Sequence, residues 1–263
     1  MKTIRLHDKG EEVVYLQRLL KEQGFAIVPN GIFDDNTSKA VITFQKQHQL
    51  VADGIVGYSS WEKLLFANYK VKERLSDDDF VLVAKLLDVE PAALKAVQQV
   101  ETGGRGGFFA PGKPAILFEG HIFWQQLNKR GISPESFISG NENIIYKVWD
   151  KKLYKGGIAE YDRLEQARKI NREAADASAS WGMFQIMGFN YAHCGEKSVS
   201  TFVEAMSTSE LHQLLLSARF IKTGGMLPAL QKKDWAAFAK CYNGSGYAQN
   251  KYDEKLAQAY SKF

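Results

Sequence analysis

An imperfect internal repeat limits what the first seventy residues can build. "LQRLLKEQGF" begins at Leu16-Gln17 and "FQKQHQL" at Phe44-Gln45, 28 positions on. "GIFDDNTSKAV" begins at Gly31 and "GIVGYSSWEKL" at Gly54, 23 positions on. Each copy reads as a helix with apolar residues at i, i+3 and i+4, a glycine turn, and a new helix start. Val13, Leu16, Leu19 and Leu20 form one apolar stripe; Val41, Phe44 and Leu50 continue another. Thr37 and Ser59 stand where hydroxyls can cap helix starts. The pattern predicts a compact three-helix unit over 1–68. Residues 67–78, "ANYKVKERLSDD", are polar and charged, so 69–78 reads as a linker, with Ser76 or Asp77 opening the next helix.

From 79 to 263 helical periodicity dominates, and the fold class predicted for the whole chain is mainly α. Within "LKAVQQVETGGRGG" an apolar helix, with Pro91 suited to its first turn, runs into Glu101 and then a glycine loop. Glu101 follows Val97 by four and Leu94 by seven, which places it on their face, in the last turn, against the negative end of the helix dipole. Desolvation and dipole both favour the protonated acid. A carboxyl that keeps its proton near neutral pH suits protonation of a glycosidic oxygen. Gly103, Gly104, Gly106 and Gly107 would let a bulky polymer approach the backbone. The plainer alternative is a Glu101–Arg105 pair at a glycine-stopped helix end.

Three further stretches bear on that choice. "AILFEGHIFWQQL" reads as an apolar helix with Glu119 embedded in it, a second carboxylate or a satisfied core acid. "SASWGMFQIMGFNY" holds Gln185 in an apolar run, where a buried amide must find partners or face a cleft. "KCYNGSGY" places Tyr242 and Asn243 before a Gly-Ser-Gly turn, suited to sugar binding or to capping. Asp176, ahead of the "SASWG" segment, is another candidate second carboxylate.

Composition excludes several classes. The net charge of +4 is spread along the chain, with nine Lys/Arg against eight Asp/Glu in residues 1–70, so no nucleic-acid surface is expected. The five histidines, His7, His48, His121, His193 and His212, are scattered and form no HExxH, so neither metal nor cofactor is expected. Cys194 and Cys241 are expected as free, buried thiols. A cysteine peptidase using either, a zinc amidase and a pure binding protein are the rival classes. The N-terminus lacks the apolar stretch of a signal peptide and no run reaches membrane-span length, so synthesis in a cytoplasm without membrane insertion is the expectation.

"GEEVVYLQRLL…GF…NGIFDDNTSKAVITFQKQHQLVADGIVGYSSWEKLL" resembles the peptidoglycan-binding domain that accompanies many cell-wall hydrolases. The resemblance implies non-catalytic binding of glycan or stem peptide, with Phe33, Asp34 and Tyr58, in or beside the glycine turns, as candidate contacts. A glutamate ending a helix, then "GMFQI", then "YNG", resembles the lysozyme and lytic transglycosylase superfamily. More closely, "VQQVETGGRGGF", "PAILFEGHIFW", "SASWGMFQIMGFNY" and "CYNGSGY" resemble the N-acetylmuramidase domain of modular phage endolysins. That resemblance implies a lysozyme-like domain over 79–263 with Glu101 as catalytic acid. By similarity with the wider superfamily, Gln185 and Tyr242 lie in the glycan cleft. It also implies cleavage of the β-1,4 bond between N-acetylmuramic acid and N-acetylglucosamine in glycan strands. A lytic transglycosylase leaving 1,6-anhydro ends is the alternative. The expected setting is a monomer that lyses the host after a separately made membrane pore releases it to the cell wall.

Overall fold

The computed structural model describes every residue except 68, 70–73 and 104–105. Part of the expected linker, and Gly104 and Arg105 of the glycine loop, therefore lie outside the described residues. The chain divides into two compact units, residues 1–71 with 84–88, and residues 72–83 with 89–263.

In the smaller unit the repeat becomes three helices, α1 (Glu11–Glu22), α2 (Asp35–Gln47) and α3 (Tyr58–Phe66). Val13, Leu16, Leu20, Phe33, Val41, Phe44 and Trp61 fill the core. The two copies share one polar device. The Gln17 carbonyl accepts from the N–H groups of Asn30 and Gly31 (2.9 Å each) while its amide donates to Ile32 O and Thr37 Oγ1. In the second copy the Gln45 carbonyl accepts from Gly54 N–H (2.9 Å) and its amide donates to Ile55 O and Ser60 Oγ. Each buried glutamine thus fastens a helix to its following glycine turn, and the repeated Leu-Gln and Phe-Gln pairs are its sequence trace. Thr37 and Ser59 do not cap. Asp34 is the N-cap of α2 and accepts from Thr37 N–H at 2.8 Å, Thr37 being spoken for inside the turn, and Ser59 lies within α3 behind an N-cap glycine, Gly57.

The remaining helices are α4 (Asp77–Leu87), α5 (Pro91–Thr102), α6 (Gly120–Lys129), α7 (Glu160–Arg168), α8 (Arg172–Ala177), α9 (Val199–Met206), α10 (Glu210–Thr223), α11 (Leu227–Lys232), α12 (Trp235–Asn243) and α13 (Tyr252–Tyr260). In the larger unit, a hairpin joins β1 (Phe108–Ala110) to β2 (Lys113–Pro114). A small antiparallel sheet runs β3 (Ile116–Phe118), β4 (Ala179–Trp181), β5 (Ile186–Met187), with Leu117 opposite Ser180 and Trp181 opposite Ile186. The stretch read as one helix from 115 is therefore a strand first. Helix α6 begins only at Gly120, and Glu119 is its N-cap residue, not an embedded one. Two β-branched or aromatic positions in Ile116 and Phe118 alternate inward, which a strand satisfies and a helix does not.

Helix α10 is buried over most of its circumference, with Leu211, Leu214, Leu216, Ala218 and Ile221 inside. It carries polar side chains into that interior. Gln213, fully buried, accepts from Met183 N–H (2.8 Å) and donates to Gly107 O (3.1 Å) and Met206 O (2.9 Å). Glu210 accepts from Gly107 N–H at 2.9 Å. A Cβ on Gly107 would stand 2.1 Å from Gln213 Oε1, and one on Gly182 would stand 2.8 Å from it. Gly107 is buried against α10, so its lack of a side chain serves packing and not polymer access; the sequence expectation is corrected there. Cys194 is buried and free, and its thiol is pushed up to about 12 by burial; Cys241 is free but exposed, contrary to expectation.

Replacing Gln213 by leucine would strand Met183 N–H and the carbonyls of Gly107 and Met206 inside the core. Because each stranded buried group costs about 1–3 kcal/mol, we expect a loss of about 3 kcal/mol or more in denaturant unfolding. Gly107→Ala should destabilise similarly through collision with Gln213.

Candidate active site

Helix α5 begins with Pro91 at its first turn and buries Ala93, Leu94, Ala96 and Val97; Gly103 stops it in the left-handed region (φ 62°), its N–H bonded to Gln99 O. Glu101 is held in the last turn of this helix, half-buried, where the unpaired carbonyls disfavour negative charge. Desolvation raises its carboxyl to about 7, against an opposing pull from the Asn243 amide. That amide is the contact that joins two distant motifs: Asn243 Nδ2 donates to Glu101 Oε1 at 3.1 Å.

Tyr242, one residue earlier on α12, has its ring stacked on Phe238 and edge-on to Phe220, and its hydroxyl donates to Phe184 O at 2.7 Å. Burial, and secondarily the charge of Glu101, pushes its phenol well above the usual range. It is therefore a neutral donor that pins the end of α12 to the β4–β5 turn. The structure thus brings the "VET", "GMFQI" and "YNG" stretches into one place. Gln185 sits in that turn with φ 47°. Its carbonyl accepts from Ser180 Oγ (2.8 Å) and its amide donates to Gly182 O (2.8 Å) and Ala115 O (3.4 Å). The amide finds its partners in the turn and on Ala115 O ahead of β3, which leaves it holding the turn's shape.

The two candidate second carboxylates belong to other networks. Two N–H groups of Arg168 converge on Asp176 Oδ1 at 2.6 and 2.7 Å. Burial raises its pKa and Arg168 opposes the rise. Glu119 accepts from Tyr154 Oη at 2.6 Å and lies 3.4 Å from His121 Nδ1; burial raises its pKa and the Tyr154 hydrogen bond opposes it. Among the described residues, the group bonded to Glu101 is an amide and not a carboxylate.

Sequence reading missed Tyr252. Its phenol is raised by burial and then by the charge of Glu101. Tyr252, Leu256 and Ala259 follow helical spacing along α13, which packs against α5. That stripe is the signal that could have found it. Among the described residues no cluster of three or more His, Cys, Asp or Glu is placed to hold a metal.

A family model described as N-acetylmuramidase matches residues 90–263, and one described as a putative peptidoglycan binding domain matches residues 9–64. The chain belongs to the N-acetylmuramidase family. Its sequence is also 40% identical to the Burkholderia AP3 phage endolysin, whose crystal structure aligns over 99% of this chain and 98% of that one with a TM-score of 0.65. The muramidase match begins just ahead of α5 and includes Glu101, Asn243 and Tyr252.

In the smaller unit, Phe33 is fully buried and cannot present its ring to a ligand, which removes it as a wall contact; a core of this size needs its largest side chains inside. Asp34 spends its carboxylate as the α2 cap, with the Thr37 hydrogen bonds lowering its pKa, and Tyr58 is half-buried at the start of α3. A groove of about 410 Å³ lies between Leu6–Lys9 and Ile32–Asp35.

The folded protein holds the Glu101 proton more tightly than the unfolded chain, so this group's favourable contribution is full below about 4.5 and lost as pH rises to about 7. Glu101→Gln should therefore be more stable than wild type at pH 8, by up to roughly 3 kcal/mol in denaturant melts. The alkaline limb of kcat/KM should lie near 7, and Asn243→Ala, which removes the hydrogen bond favouring the carboxylate, should move that limb to higher pH.

Proposed function

We propose that this muramidase cuts the β-1,4 bond between N-acetylmuramic acid and N-acetylglucosamine in bacterial peptidoglycan, with Glu101 as the general acid. One observation carries the reading: Glu101 is the carboxyl whose surroundings raise it to about 7, at the junction of the three stretches on α5, α12 and the β4–β5 turn. A half-protonated acid at neutral pH matches the task of protonating a leaving glycosidic oxygen. Asn243 acts as a positioning residue that fixes the carboxyl and stabilises, by its N–H, the carboxylate left on Glu101 after transfer. Tyr242 and Gln185 shape the cleft wall, and Tyr252 borders Glu101 from α13.

A lytic transglycosylase outcome is kept as the second reading, because Asp176 is engaged by Arg168 and Glu119 by Tyr154. With no free carboxylate beside Glu101 among the described residues, the 6-hydroxyl of muramic acid competes with water as nucleophile. The smaller unit would hold the enzyme on the wall, with the groove beside Asp34 as its ligand surface. Among the described residues no helix is long and apolar enough to cross a membrane. We propose a monomer that binds no nucleic acid, is made in the host cytoplasm and reaches the wall through a separately made pore.

Glu101→Gln should bind purified peptidoglycan like wild type and lose lysis by roughly 10²–10⁴-fold, the usual contribution of general acid catalysis. Near-normal lysis by the folded variant would sink the assignment. Mass spectrometry of digests with and without borohydride separates the two outcomes: reducible muramic acid ends mean hydrolysis, and 1,6-anhydro ends mean transglycosylation.

A further inference from the structure

Residues 147–155, "KVWDKKLYK", present Trp149 to solvent at 55% exposure on the larger unit, beside Val148 at 78%. An exposed indole forgoes burial that an isolated domain would favour, and so points to a partner. This indole is held in orientation. Its Nε1–H donates to Tyr154 Oη at 2.6 Å, and the Tyr154 hydroxyl donates to Glu119 Oε2 at 2.6 Å. Glu119 is itself fixed where β3 meets α6, its backbone N–H bonded to Ser178 O at 2.9 Å. The hydrogen-bond chain therefore runs from a carboxylate inside the fold to a ring at the surface. A ring fixed in advance loses little entropy on binding.

Charge at this patch has one sign to spare. Lys147 is paired with Glu135 and Lys155 with Asp162. Lys151 and Lys152, on the short turn between Trp149 and Tyr154, are exposed and have no acidic partner among the described residues. Asp150, in the same segment, is turned to the backbone, accepting from Lys152 N–H.

We propose that Trp149, Lys151 and Lys152 form an accessory peptidoglycan site on the catalytic unit, the indole face taking a saccharide ring and the two ammonium groups taking stem-peptide carboxylates. The inference rests on the muramidase reading above and adds a second point of attachment to it. An apolar ring face covers the C–H face of a sugar, and paired cations beside it select the strand that carries acidic peptides. Two attachments on one strand raise the effective concentration of the scissile bond at Glu101.

The test uses the full chain and soluble peptidoglycan fragments of graded length, with and without stem peptides, measuring KM and kcat separately. Trp149→Ala should raise KM on long fragments by roughly five- to tenfold, as loss of an aromatic anchor does, and leave kcat unchanged. Trp149→Phe should recover part of that loss. Lys151→Glu combined with Lys152→Glu should raise KM on peptide-bearing fragments and leave peptide-free glycan unaffected. Unfolding temperatures of the lysine variants should match wild type, since both side chains are exposed, and Trp149→Phe, which gives up the same indole hydrogen bond as Trp149→Ala but keeps a ring, separates loss of the ring face from loss of that bond. Wild-type KM in both Trp149→Ala and the double charge reversal, on every fragment, would overturn the proposal. So would a double variant whose only defect is binding to vesicles containing anionic phospholipid, which would make the patch a membrane contact. The two readings fail separately: an active Glu101→Gln protein would remove the acid assignment, whereas the Trp149 result is read in KM with Glu101 intact.

Discussion

The larger unit depends on a side-chain amide that has no access to water. Gln213 supplies both an acceptor and donors to backbone groups from the glycine loop, the β4–β5 turn and the end of α9. The first two segments have too little regular structure to satisfy their own backbone, the third is a helix end whose last carbonyls lack helical partners, and stranded peptide groups inside a core are costly. Glu210, one turn earlier, does the same for Gly107 N–H and for Leu75 N–H. Helix α10 thereby acts as a template, its amide and carboxylate fixing the path of chain that no strand or helix could fix. The glycines at 107 and 182 follow from it, because the Gln213 side chain occupies the space a Cβ would need. A second interior group works the same way. Arg163, fully buried with Glu160 at 2.7 Å, also donates to Phe118 O and Asn143 O, and those extra bonds are what make a buried ion pair tolerable.

With the loops fixed, the environment of Glu101 can be set from two directions. Burial and the end of α5 push its proton affinity up; the Asn243 amide, arriving from α12, pulls it back. Burial without the amide would raise the carboxyl further, and full solvation would return it toward the ordinary carboxylate range. The position of Asn243 depends in turn on Tyr242, whose hydroxyl ties α12 to Phe184 O. The sequence order "YN" thus divides two tasks between adjacent residues, one anchoring the helix and the other addressing the acid.

Periodicity made the helices legible, and the repeat made the three-helix unit legible, because a 3.6-residue stripe and a duplicated turn are both local patterns; the fastening role of Gln17 and Gln45 within it was not. Glu101 was legible for the same reason: its spacing from Leu94 and Val97 is helical. What failed was whatever depended on partners far along the chain. The run at 115–127 looked helical by composition, yet β3 exists because Ser178–Trp181 lies beside it. Phe33 looked like a loop aromatic free to touch ligand and is a core side chain. The glycine loop read as a place for substrate, and Gly107 in fact answers to a glutamine 106 residues away. Tyr252 is marked locally only by the helical stripe it shares with Leu256 and Ala259; that the stripe faces Glu101 follows from the packing of α13 on α5, which no local pattern shows.

The two glutamates at the heart of the larger unit show why burial alone does not make an acid. Both are raised by desolvation, but their partners differ in kind. Glu119 accepts from a phenol and lies beside an imidazole, an arrangement in which its oxygens serve as acceptors throughout and the hydroxyl of Tyr154 stays where it is. Glu101 has a weaker, longer contact from an amide on one oxygen. After proton transfer the Asn243 N–H faces a full carboxylate, and a hydrogen bond to charge is stronger than one to a neutral acid. Under the acid role proposed for Glu101, the interaction would strengthen along the reaction coordinate and favour the transition state over the ground state, which is the condition for it to raise kcat and not merely affinity. The Tyr154 hydroxyl favours the ionised form of Glu119 in the same sense, so what separates the two glutamates is the rest of their surroundings: Glu119 is tied through Tyr154 to Trp149 and lies beside His121, whereas Glu101 carries the amide of Asn243.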